Sequence, residues 1–89
     1  MAKKAEKKQG KATPTGHNRK KTPERKAFGM KVRIRRYEIE MTQEELAEKA
    51  ELHPNYVGSV ERGERNIALE NILAIAKALD CSPKDLMPD

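Results

Sequence analysis

Two helix start signals and one stop fall within 22 residues, and their spacing leaves room only for two short helices joined by a tight turn. Thr42 followed three residues later by Glu45 is a capping box, in which each side chain satisfies a backbone N–H at a helix start. His53 before Pro54 is a second start, because proline at the first helical position gives up an N–H that has no partner there. Leu52 and Val57 are spaced as a hydrophobic staple across that start. Gly63, just past Arg62, supplies the left-handed conformation that ends a helix. Leu46, Ala47 and Ala50 then form the inward face of the first short helix, and Val57 and Val60 that of the second. The outer face of the second helix follows from spacing: Asn55, Gly58, Ser59 and Arg62 lie at i, i+3, i+4 and i+7.

The flanking segments are also helical. Thr22, Pro23 and Glu24 open a helix in which Ala27, Met30, Ile34, Tyr37 and Met41 form an apolar stripe. Phe28, Val32 and Ile39 lie off that stripe, so two faces compete for the inward position. After the loop Glu64-Arg65-Asn66, a helix is expected from about Leu69 to Leu79. Its apolar face is wider than one neighbour covers. Ser82-Pro83-Lys84-Asp85 opens a last short turn ending in Leu86 and Met87. The surplus width on Ile75 and Leu79, with Leu86 and Met87, marks a homodimer seam, unless the C-terminal turn folds back over it. The fold class read from this pattern is all-α: a compact bundle of five helices.

Charge divides the chain at the same place as periodicity. Residues 1–23 carry eight Lys/Arg and one acid, for +7, with four apolar residues; residues 24–89 carry eleven Lys/Arg and thirteen acids, for −2, with 28 apolar residues. A segment so basic and so poor in apolar groups cannot offset its ordering entropy, so 1–23 is expected to be a disordered basic tail and 24–89 the folded domain. About 66 residues bury roughly 60% of their unfolded surface, a marginal size that gains from dimerisation.

Several function classes fall away. No run of about 18 apolar residues exists to span a membrane. The charged N-terminus has no apolar run behind it, as a secretory signal needs. Cys81 has no partner for a disulfide and, with only His17 and His53, no set for a metal. No cofactor is expected, and a reducing, cytoplasmic setting fits. No catalytic triad, carboxylate pair or glycine-rich phosphate loop is present, so neither an enzyme nor a small-molecule substrate is expected.

Two short helices around a three-residue turn have the helix-turn-helix geometry, whose second helix enters a major groove about 12 Å wide. The first helix then crosses the backbone, its N-terminus and Gln43 facing a phosphate. Residues 42–86, TQEELAEKAELHPNYVGSVERGERNIALENILAIAKALDCSPKDL, resemble the Cro/repressor (XRE-like) helix-turn-helix family. Within it, LHPNYVGSVERGERNIALENILAIAKAL is most like the controller proteins of restriction–modification systems. The resemblance implies a five-helix repressor-type domain, a homodimer on a two-fold symmetric operator of double-stranded DNA, and transcriptional regulation. It places Gln43 on a phosphate, and Asn55, Tyr56 and Ser59 on the exposed face of the recognition helix. It puts Arg62, Arg65 and Asn66 on the loop side, touching backbone or bases. Glu61 would pair with an arginine of the first helix, Arg36 or Arg35.

The chain departs from the family pattern at Pro54, where a polar or basic residue is common. It departs again at Glu51 and Glu40, where glycine is usual, and at Ala68, where serine caps the fourth helix. The same fold also serves as a protein-interaction module, such as an antitoxin or a bridging factor, and that reading stays open here.

Overall fold

A computed structural model of the protein describes residues 20–89; residues 1–19 of the expected disordered tail lie outside them, and Thr22 and Pro23, counted with that tail, instead cap and open the first helix. Four α-helices follow in order: α1 (Pro23–Glu38), α2 (Gln43–Ala50), α3 (Pro54–Glu61) and α4 (Leu69–Ala78). The expected fifth helix is a 3-10 turn over Pro83–Leu86, opened by a reciprocal Ser82–Asp85 capping box. Four residues are too few to close a second α-helical hydrogen bond, which favours the tighter i→i+3 pattern.

The start signals act as their chemistry dictates. Thr22 Oγ1 accepts from the Arg25 N–H at 3.1 Å. Thr42 Oγ1 accepts from the Glu45 N–H, and Glu45 Oε1 accepts from the Thr42 N–H. His53 Nδ1 accepts from the Asn55 N–H at 3.0 Å. At Ala68 no side chain caps α4. Gly63 adopts φ 78°, while Glu40, Glu51 and Asp80 adopt φ 55°, 59° and 55°, each just past a helix end. Three acidic residues thus occupy the left-handed position that glycine fills most cheaply.

The inward face of α1 is Phe28, Val32 and Arg36, together with Gly29. Of the competing stripe, the middle faces out: Met30, Ile34 and Tyr37 are 51, 49 and 63% exposed, while Ala27 and Met41 at its ends are half-buried. The reason lies at Gly29. A Cβ there would stand 2.3 Å from the Val60 carbonyl oxygen and 2.6 Å from that of Glu61. Only a bare Cα lets α1 lie directly against α3, and that contact turns Phe28 and Val32 into the core. Counting apolar residues left the two faces in competition, because the inward one includes a glycine and ends in a charged residue.

The core collects Phe28, Val32, Leu46, Ala47, Val57, Val60, Ile75, Leu79 and Leu86 from all four helices and the terminal turn. Ile75, Leu79 and Leu86 are fully buried within a single chain, which corrects the expected dimer seam at those positions. The C-terminal turn folds back over α4 and uses up the extra apolar width. Met87 is half-buried against the same core. Two cations of α1 hold this arrangement: Lys31 Nζ donates to the Met87 carbonyl at 2.8 Å, and Arg35 Nε to the Leu79 carbonyl at 3.0 Å. Arg35 Nη2 also reaches the Asp80 carbonyl, so the guanidinium caps the C-terminal end of α4 where orphan carbonyls gather.

Candidate nucleic-acid interface

Five of the seven residues expected to touch DNA line one groove of about 310 Å³: Gln43, Asn55, Ser59, Arg62 and Arg65. Pro54 and Gly58 complete it. The groove runs along α3 between the first turn of α2 and the loop after Gly63. Helix α3 supplies Asn55 near its N-terminus and Arg62 at its C-cap, while α2 brings in Gln43 from the side.

A buried carboxylate organises one wall. Glu61, whose side chain is wholly inaccessible, accepts from Arg36 Nε at 2.7 Å through Oε2. Its Oε1 accepts from Arg36 Nη2 at 3.0 Å, Gln43 Nε2 at 2.9 Å and Arg33 Nε at 3.3 Å. Arg36 Nη1 donates to the Met41 carbonyl at 2.9 Å. Glu61 is therefore paired with Arg36, while Arg35 serves α4 instead. Burial alone would push the Glu61 carboxyl up. Hydrogen bonds from Arg36 and Gln43 and the Arg36 charge outweigh it and hold the group below the usual carboxylate range. Arg36, hydrogen-bonded to Glu61, is correspondingly held more firmly protonated.

Ser59 lies on the floor of the groove, at 3% exposure, rather than on its outer face. Its hydroxyl donates to the Tyr56 carbonyl at 2.7 Å and accepts from Arg65 Nε at 2.9 Å. That corrects the expectation of Ser59 as an exposed contact: its proton is already committed, and its visible task is to hold Arg65. Tyr56 also stands away from the groove. Its hydroxyl accepts from Asn71 Nδ2 at 3.1 Å, and the Arg65 guanidinium sits over its ring at 5.3 Å. Asn66 is exposed but lines a separate apolar hollow beside Glu24, Phe28 and Ile72. Arg62, also exposed, is gripped by Glu64, with Nε to Oε2 at 3.0 Å and Nη2 to Oε1 at 3.2 Å.

Sequence reasoning missed Arg33 as a second cation on Glu61 and Asn71 as the Tyr56 partner. Neither carries a local signal, since each acts across two elements. Among the described residues, no helix is long and apolar enough to cross a membrane, and no group of three His, Cys, Asp or Glu could hold a metal.

A family model described as helix-turn-helix matches residues 32–86, from Val32 in the core to Leu86 in the terminal turn. The chain belongs to the helix-turn-helix family. It is 51% identical over 61 residues to the control protein C.BamHI of Bacillus amyloliquefaciens, spanning 67% of this chain and 75% of that one. The structure of the restriction–modification controller protein C.AhdI from Aeromonas hydrophila superposes with a TM-score of 0.69 at 44% identity, covering 71% of this chain and 96% of that one. The P22 c2 repressor, solved in complex with a synthetic operator, gives 0.64 at 33% identity, covering 67% and 91%. The match begins within α1, so Arg36 and Glu61, on either side of the α1–α3 contact, both fall inside it.

Proposed function

We propose that this helix-turn-helix protein is a sequence-specific DNA-binding transcriptional regulator that acts as a homodimer on a two-fold symmetric operator, as a controller of restriction–modification type. The observation that carries this reading is the convergence of Gln43, Asn55, Arg62 and Arg65 on one groove beside α3. Their chemistry suits DNA. A glutamine at a helix N-terminus donates to a phosphate, asparagine pairs with adenine N6 and N7, and arginines serve phosphates or guanine. The likeness to control proteins and to an operator-bound repressor supports the same reading.

The homodimer needs an apolar seam, and with Ile75 and Leu79 used inside one protomer the seam falls on Leu69 and Leu73. These lie one turn apart on α4 and are 65 and 47% exposed. A two-fold seam would set two copies of α3 about 34 Å apart, one turn of duplex. The regulator is non-enzymatic and works in the cytoplasm, and its basic tail, residues 1–23, adds sequence-independent phosphate contacts.

A selection on randomised duplexes with the full chain tests the proposal. A two-fold symmetric motif is expected; no enrichment overturns it. The exposed Met30, Ile34 and Tyr37 favour a second reading, a protein-interaction module. A monomer in sedimentation that enriches no duplex would move the assignment there.

A further inference from the structure

Arg62 stands at the open end of the groove with its guanidinium half claimed. Glu64 takes the Nε–Nη2 edge in a two-point contact at 3.0 and 3.2 Å. Nη1 makes no hydrogen bond among the described residues and lies back over α3. A Cβ built on Gly58 would meet it at 3.2 Å and the Gln43 Oε1 at 3.6 Å. The missing side chain at position 58 leaves Nη1 room to lie back along the helix, in the groove it shares with Asn55; a Cβ there would displace it by a few tenths of an ångström.

Two roles are open to such an arginine, and charge decides between them. A phosphate contact works through net positive charge and counterion release, which a lysine supplies as well. Arg62 paired with Glu64 is close to neutral as a unit, so it is a poor phosphate ligand. What the pairing does provide is direction. It fixes the plane of the guanidinium, lowers the ordering cost of a contact and leaves the Nη1–Nη2 edge as a rigid two-donor fork. That fork matches O6 and N7 of guanine in the major groove.

We infer that Arg62, buttressed by Glu64 and admitted by Gly58, reads a guanine at one position of each operator half-site, rather than holding the DNA backbone. The inference rests on the DNA-binding reading above. Glu64 is a positioning residue here, not a contact.

The test compares the full-length chain with its Arg62→Lys and Glu64→Gln variants in selection on randomised duplexes, followed by measured affinities on the enriched site and on that site with the guanine replaced. The wild-type chain is expected to prefer G·C at that position by roughly 5- to 150-fold, the range of a good two-point contact. Both variants are expected to lose most of that preference while the rest of the motif stays. Lysine keeps the charge without the fork, and glutamine frees the fork to rotate. Gly58→Ala displaces only the far end of a flexible side chain, by a few tenths of an ångström, so it should fold and lose a smaller part of the same preference.

An unchanged guanine preference in both variants, with affinity shifted evenly over all sequences, overturns the inference and returns Arg62 to the backbone. Loss in Arg62→Lys alone overturns the role of Glu64. A wild-type chain that enriches no motif overturns this inference together with the DNA-binding reading, and so separates that failure from the other two.

Discussion

Gln43 Nε2 donates to Glu61 Oε1 at 2.9 Å, the same oxygen that accepts from Arg36 Nη2 at 3.0 Å. The side chain expected at the DNA backbone is thus oriented by the ion pair that joins α1 to α3. Packing of the first helix and the aim of Gln43 are one arrangement.

Breaking that pair from either side should be costly. Arg36→Met or Glu61→Gln leaves a buried group uncompensated, and each is expected to lower unfolding free energy by about 3–5 kcal/mol in urea titrations. The double variant Arg36→Met with Glu61→Leu should cost clearly less than the two single losses together, because the second change removes the orphan.

The same carboxylate gives a direction to pH dependence. Glu61 is held below its ordinary range in the folded state, so the unfolded chain binds its proton at higher pH than the folded one. Its contribution is fully present above the unfolded value of about 4.3. It is lost as pH falls through the lower folded-state value. Urea midpoints measured downward from about pH 6 should fall below about pH 4.3, and Glu61→Gln should remove that part of the slope.

Gly29→Ala should destabilise, against the usual trend. Alanine in a helix interior normally gains about 1 kcal/mol over glycine. Here the new methyl would enter the Val60 and Glu61 carbonyls, both backbone, so α1 must lift off α3. A loss of about 1–3 kcal/mol is expected from overpacking of this kind. A raised melting temperature would show that α1 can shift without penalty.

Glu51→Gly and Ala68→Ser should each stabilise. The first relieves a left-handed φ of 59° and is worth about 1 kcal/mol. The second gives α4 the N-cap oxygen it lacks, for about 1 kcal/mol. Thermal melts of the two variants and of their combination check both signs.

Leu73→Glu and Ile75→Ala separate seam from core. The exposed Leu73 variant should shift the sedimentation equilibrium toward monomer while each protomer stays folded. The buried Ile75 variant should cost about 2–5 kcal/mol of stability through a cavity. A dimer untouched by Leu73→Glu would place the seam elsewhere.

Local chemistry is legible in the amino-acid sequence by itself. Thr42 with Glu45, His53 with Pro54, and Gly63 set the helix ends because capping and left-handed stops depend on neighbours within a few residues. The groove-facing spacing of Asn55, Gly58 and Arg62 follows from one helix alone. What tertiary structure decided were the questions in which two elements meet. Whether α1 turned Met30 or Val32 inward depended on how closely a bare Gly29 could approach the α3 carbonyls. Whether Ile75 and Leu79 faced a partner or their own C-terminus depended on the terminal turn folding back, pinned by Lys31 and Arg35. Whether Ser59 met solvent depended on Arg65 returning over it. Each outcome is a contact between residues far apart in sequence, and periodicity within one helix cannot tell which of two apolar faces another helix will cover.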